Sequence, residues 1–387
     1  MSTFVEFENA SIKTDRDFLE QLTDILQNDI SGSLTRKKSQ LWLTESAVGP
    51  GVTSSLYQTV FDQDFTLQTA NAYMDITFGL SPNSSLVKTG SFLYQDTTTG
   101  KMYFTSQSLQ MREKINIYRL FAQDLLGDAA AEFQTMSGSN SYVIREPLFL
   151  TFKRLFTRDR IKRESFGIEM FVTGNAKGIT SGGSVPKVYT DVGSNGNIET
   201  SKGGEVSTLV DSSNTSYPVG LVYLDKGVVV LDTQKVFECD ETNAIQMTGS
   251  IKAVSPSGYT PFSGSLNKLF VSGCIDDIID HLAVSRFNSG SGTAIVFQNQ
   301  TIINSTLFFC NLAPSDFNYS SNPTYTDDNG RIVVIESGQE DRQKPFTFIT
   351  GIGLYDANNN LLAIAKSGRP LLKDPSRAPV IRVRLDH

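Results

Sequence analysis

Few side chains in this chain stand at spacings that chemistry requires. Asp277 and His281, within Ile275–Leu282, are four residues apart and would share one face of a helix, where they could begin a divalent-metal site. Such a site needs three or four ligands, and the only other histidine is His387. Asp276 and Asp277 fit better as acids near a helix N-terminus, where the peptide dipoles favour negative charge. Asp327, Asn329, Gly330 and Glu336 fall in register with a calcium loop counted from Tyr325. Yet the first ligand position is that tyrosine, and Ile332–Ile335 reads as a strand where a helix should begin. Asn329-Gly330 is therefore expected to be a tight hairpin turn.

Nucleophile and phosphate motifs are no more complete. The chain holds no GxSxG elbow and no cysteine with a matching histidine and orienting acid. The runs Ser181–Ser184 and Ser289–Gly292 are glycine-rich but lack the lysine of a phosphate loop. Cys239, Cys274 and Cys310 are odd in number and far apart, which fits buried small hydrophobes better than a metal knuckle or a disulfide scaffold. The sequence thus names no catalytic, cofactor-binding or metal-binding residue, calls for no cofactor, and is not expected to be an enzyme.

One basic segment stands out. Lys153, Arg154, Arg158, Arg160, Lys162 and Arg163 are interleaved with Phe152, Leu155, Phe156 and Ile161, a mixture that can grip single strands. The chain as a whole carries a formal charge of −7, opposite to the footprint of a nucleic-acid coat, so a solvated edge or a salt-bridged subunit contact is the preferred reading. No apolar run approaches the length of a bilayer span, and Met1–Lys13 lacks the pattern of a signal peptide. The expectation is a protein folded in a cytoplasm, without membrane insertion and with nucleic acid an unlikely partner.

The elements that must position these residues are mostly strands. Phe, Tyr, Thr, Ser, Gly and Asn recur in short runs, and a length of 387 residues implies two or three domains. We expect an α+β, mainly β protein with antiparallel, sandwich-like sheets and two or three helices in the N-terminal third. The first helix is read over Thr14–Asn28, from Phe18, Leu19, Leu22, Ile25 and Leu26 on one stripe. Ser31–Lys38 follows as an arm leading into a short strand at Leu41–Leu43, and residues 1–45 are taken together as helix and arm. Residues 46–140 form a mixed segment whose long helix, near 108–126, ends at Gly127 as a C-cap. Residues 141–285 are read as a β domain with a long Gly/Ser-rich loop at 177–216, a hairpin at Val219–Asp232 and a short helix at Ile275–Ala283. Residues 286–387 form a C-terminal β domain. There Phe346–Tyr355 turns through Asp356–Asn360 onto Leu361–Lys366, and Val380–Leu385 is expected to close the same sheet.

Five stretches carry a family resemblance: GPGVTSSLYQTVFDQDFTLQTAN at Gly49–Asn71, SQSLQMREKINIYRLFAQDLLGD at Ser106–Asp128, VGLVYLDKGVVVLD at Val219–Asp232, FNYSSNPTY at Phe317–Tyr325, and ITGIGLYDANNNLLAIAKSGRPLLK at Ile349–Lys373. They resemble virion structural proteins of contractile-tailed bacteriophages, including phages of marine and cyanobacterial hosts. The resemblance implies a tail baseplate component acting through contacts with itself and other virion proteins, located in the virion. It carries over no catalytic residue. A neck or head-to-tail connector is the near alternative, a host-glycan adhesin and a cell-wall hydrolase the distant ones. On the assembly reading, the arm at Ser31–Lys38 and the stretch Lys177–Ser216 are expected to reach neighbouring subunits.

Overall fold

The computed structural model describes residues 11–26, 30, 34–42, 53–87, 93–95, 98, 102–104, 106–135, 141–171, 186–192, 199–237, 246–248, 263–287, 293–320, 324–332, 335–339 and 341–386. Among the described residues strand far outweighs helix, which makes the protein mainly β with antiparallel sheets. In chain order the elements begin with β1 (Ser11–Leu26), β2 (Arg36–Trp42), β3 (Thr53–Phe61), β4 (Ala72–Phe78), β5 (Leu93–Gln95), β6 (Met102–Phe104) and helix α1 (Ser106–Leu125). The middle of the chain supplies β7 (Phe133–Gln134), β8 (Val143–Ile144), β9 (Pro147–Phe152), β10 (Arg160–Ile161), β11 (Gly167–Phe171), β12 (Pro186–Thr190), β13 (Glu199–Ser201), β14 (Gly204–Asp211), β15 (Asn214–Tyr223) and β16 (Val228–Asp232). After them come α2 (Thr233–Val236), β17 (Gln246–Thr248), β18 (Ser263–Ser265), α3 (Leu266–Ser272) and α4 (Ile275–Ser285). The last strands are β19 (Thr293–Asn311), β20 (Thr347–Tyr355), β21 (Leu361–Lys373) and β22 (Val380–Asp386). Among the described residues no helix is long and apolar enough to cross a membrane.

The chain divides into two compact units, Leu19–Thr301 and Met1–Phe18 with Ile302–His387. In the larger, one sheet runs in the order β19-β11-β12-β14-β15-β16-β9-β4-β3-β2. Its centre is buried on both faces, and the alternation of side chains says how. Phe149, Leu221, Tyr223, Val228 and Val230 cluster with Tyr118, Ala122 and Leu125 of α1. Their neighbours Leu148, Leu150, Val222, Val229 and Leu231 join the cluster that contains Leu269, Phe270, Ile278 and Leu282 of α3 and α4. With helices on either side, β16 is buried throughout, and four of its five residues, Val228–Leu231, are aliphatic. Gly220 is required where β15 pairs with β16, because a Cβ there would lie 2.4 Å from the Val230 carbonyl oxygen. Helix α1 ends at Gly127, whose φ of +91° is the left-handed conformation that favours glycine at a helix end.

Several expectations need correction. Thr14–Asn28 is not a helix, since β1 covers Ser11–Leu26. Its apolar spacing fits a helical stripe, but Phe18, Leu19 and Leu22 are exposed rather than packed on one face, and the segment is extended beside β19. Of the four helices described, only α1 therefore lies in the N-terminal third. The described residues of Lys177–Ser216 are mostly sheet, comprising β12, β13, β14 and the first residues of β15. Its remaining parts, 177–185 and 193–198, lie outside the described residues. The arm at Ser31–Lys38 is strand from Arg36 onward, with Arg36 opposite Val60 and Lys38 opposite Gln58, while 31–33 lie outside the described residues.

In the smaller unit, β22 pairs along β19, from Ser305 opposite Asp386 to Asn311 opposite Val380. It does not close the sheet of the C-terminal hairpin, as the sequence reading had it. β20 and β21 instead form a two-stranded sheet of their own.

Candidate assembly surface

The residues that the sequence brought forward as chemical candidates are spread among structural roles. Asp327 accepts hydrogen bonds from the backbone N–H groups of Asn329 (3.0 Å) and Arg331 (2.7 Å), and Gly330 takes φ +79°, so Asp327–Arg331 is a turn. Asp277 belongs to a capping box at the start of α4. Its carboxylate accepts from the Cys274 N–H at 3.1 Å, and its own N–H points to the Cys274 sulfur at 3.4 Å. Burial, with a smaller contribution from Asp277, pushes the Cys274 thiol up to about 12. His281 is buried one turn later, where desolvation, and after it the Arg286 guanidinium, holds its imidazole down at about 3. Among the described residues no group of three or more His, Cys, Asp and Glu gathers to hold a metal.

The basic segment is met by carboxylates of its own unit. Arg160 and Arg163 both reach Glu205, Lys153 reaches Asp75, and Lys162 reaches Glu20 at 2.6 Å. These four cations therefore find carboxylate partners within their own unit, and not on another subunit as one of the two expected readings had it. A second network escaped the sequence reading. Arg36 and Lys38, two residues apart on β2 and so on one face of it, bond to Asp280 of α4 at 3.1 and 2.8 Å. Gln58 of β3 receives a bond from Arg36 and donates to Asp276 (3.1 Å) and Asp280 (3.0 Å). The i, i+2 spacing of Arg36 and Lys38 was the available signal. It was obscured because Lys37 lies between them and makes the triplet look like a solvated arm.

Against these inward-directed groups, the surface of the β20–β21 hairpin is apolar and open. Phe348, Leu362 and Ile364 are 57%, 68% and 61% exposed, and Tyr355 and Leu361 are also exposed. Ile352 faces Ala365 and Leu354 faces Ala363, giving one half-buried aliphatic face. On the other, the Tyr355 ring lies over Gly353, 2.7 Å from where a Cβ would stand, with Leu361 beside it. The tip is a self-contained turn. Asp356 accepts from the N–H groups of Asn358 (2.9 Å) and Asn360 (2.7 Å) and from the Asn360 amide, and these bonds hold its carboxyl below the usual range.

The base of the hairpin is held firmly. Lys373 is fully buried and donates to the carbonyls of Pro314 (3.0 Å) and Asp374 (3.1 Å) and to Asn318 Oδ1 (2.9 Å), while the Thr347 hydroxyl donates to the Phe317 carbonyl. A fixed root and an apolar upper part suit a docking element better than a pocket.

No family model, no curated protein and no solved structure matches the chain.

Proposed function

We propose that this protein is a structural component of a contractile-tailed phage virion, in the tail baseplate, and that it works through contacts with copies of itself and with other virion proteins. One observation carries the reading. The stretch whose wording resembles phage virion proteins most fully, Ile349–Lys373, coincides with the hairpin that leaves its apolar side chains uncovered. Soluble chains rarely leave large apolar side chains clustered in water, and such clusters mark sites of association. The long strand β1 adds a second uncovered element, with Phe18, Leu19 and Leu22 exposed.

The chemistry fits this role. Several conspicuous charges of the larger unit, among them Arg36, Lys38, Arg160 and Arg163, are paired within the fold, and at the hairpin tip the Asp356 carboxylate is taken up by the Asn360 amide and two backbone N–H groups. The test is mass spectrometry of purified contractile-tailed particles together with antibody labelling of this chain. The reading requires the chain in particles in fixed stoichiometry and label at the tail end. Label at the head-to-tail junction would move it to the neck, and absence from particles would overturn it.

A further inference from the structure

The two outer edges of the β20–β21 hairpin are built differently. Natural edge strands avoid unwanted pairing by means of charged side chains, proline and bulges. β21 has all three. Lys366 and Arg369 are exposed on it, Pro370 offers no N–H, and both irregularities of the hairpin put their extra residues in this strand. Between the pairs Ile349–Leu371 and Gly351–Lys366, β20 supplies only Thr350 where β21 supplies residues 367–370. Between Leu354–Ala363 and Tyr355–Leu361, β21 alone adds Leu362. β20, running TFITGIGLY, has no charge, no proline and no inserted residue.

We propose that the outer edge of β20 pairs antiparallel with β20 of a second copy of this chain, joining two hairpins into one four-stranded sheet. This specifies one contact of the assembly role above and rests on that reading. An isolated two-stranded hairpin is marginal in water, whereas a wider sheet with an apolar face is self-supporting. The distribution of charge selects the partner. Pairing β20 with its own copy sets two uncharged strands side by side, whereas pairing β21 with its own copy would bring the cations of two strands together. The two-fold arrangement leaves both β21 strands, with their lysine, arginine and proline, on the outside, so growth stops at two hairpins.

Sedimentation equilibrium on the full chain tests this. The wild type is expected to dimerise at micromolar concentration. Thr350→Lys and Thr350→Glu, made at an exposed position in mid-strand, each place like charges across the two-fold axis and are expected to weaken dimerisation at least about tenfold. An equimolar mixture of the two variants should recover dimers, which a variant that had merely unfolded could not do. Hydrogen exchange of the wild type provides a second measurement, with β20 amides more protected as concentration rises. A wild type that stays monomeric, or variants that dimerise as tightly as the wild type, overturns the proposal. The two readings fail separately. A chain present in particles but unable to pair through β20 sinks this contact alone, and a chain that pairs through β20 but is absent from particles sinks the virion role alone.

Discussion

Replacing Lys373 with Met should loosen the hairpin at its root. The ammonium is fully buried and makes three bonds, to the Pro314 and Asp374 carbonyls and to Asn318 Oδ1. Charge-assisted hydrogen bonds contribute about 1.5 to 3 kcal/mol each, a gross loss of roughly 4 to 9 kcal/mol for three. Methionine also relieves the cost of burying an ammonium, which is several kcal/mol, so the net loss should be about 2 to 4 kcal/mol. Urea unfolding measures the total, and hydrogen exchange should show the amides of β20 and β21 losing protection ahead of those in β9 and β16. A loss under about 0.5 kcal/mol, or exchange that rises equally everywhere, would refute the assignment of Lys373 as the anchor.

Lys114 of α1 plays a comparable part in the larger unit, donating to the carbonyls of Phe270 (2.7 Å) and Gly273 (2.5 Å) at the end of α3. Burial lowers its pKa to about 8, so between about 8 and 10.5 the unfolded chain binds more protons than the folded one and stability rises with pH. Lys114→Met should remove that rise and cost about 1 to 3 kcal/mol at neutral pH through the unpaired carbonyls, read by urea titration at pH 7 and pH 10. At acid pH two groups pull in opposite directions. His281, held at about 3, makes stability fall as pH drops below its unfolded value near 6.5, whereas Asp232, raised to about 7 by burial and then by Glu146, makes stability fall as pH rises from about 4 to 7. Asp232→Asn, which keeps an acceptor for the Gln234 N–H, should flatten the second slope in melting curves taken across that range and leave the first. A double-mutant cycle on Arg36→Met and Asp280→Asn should give a coupling of about 1 to 3 kcal/mol, and additive losses would remove the β2–α4 network from the account.

Legibility of the sequence followed the burial of each segment. Helix α1, the hairpin β15–β16 and helix α4 were readable because each presents an unbroken apolar pattern to a covered surface. β1 was misread as a helix because Phe18, Leu19 and Leu22 are exposed and, among its described side chains, only Ile25 reaches the core, so no core face imposed a period of two on them. β12 and β13 hid among Gly, Ser and Asn, since β12 puts one side chain, Tyr189, into the core and both strands are otherwise ordered by pairing with β11 and β14. The two strands of the C-terminal hairpin could be read in the sequence. Their isolation from β22 could not, because strand neighbours across long separations leave no local trace. The same limit hid Arg36, Lys38 and Gln58, whose partners on α4 lie more than two hundred residues away.

The central proposal is that this chain is a building block of a contractile-tailed particle and docks through its C-terminal hairpin. The most direct measurement is cross-linking mass spectrometry on intact purified particles, following Lys366 on β21. The account predicts that this chain is present and that Lys366 is cross-linked to a second copy or to another tail protein. Particles that lack the chain, or that contain it with Lys366 linked only within its own copy, would contradict it.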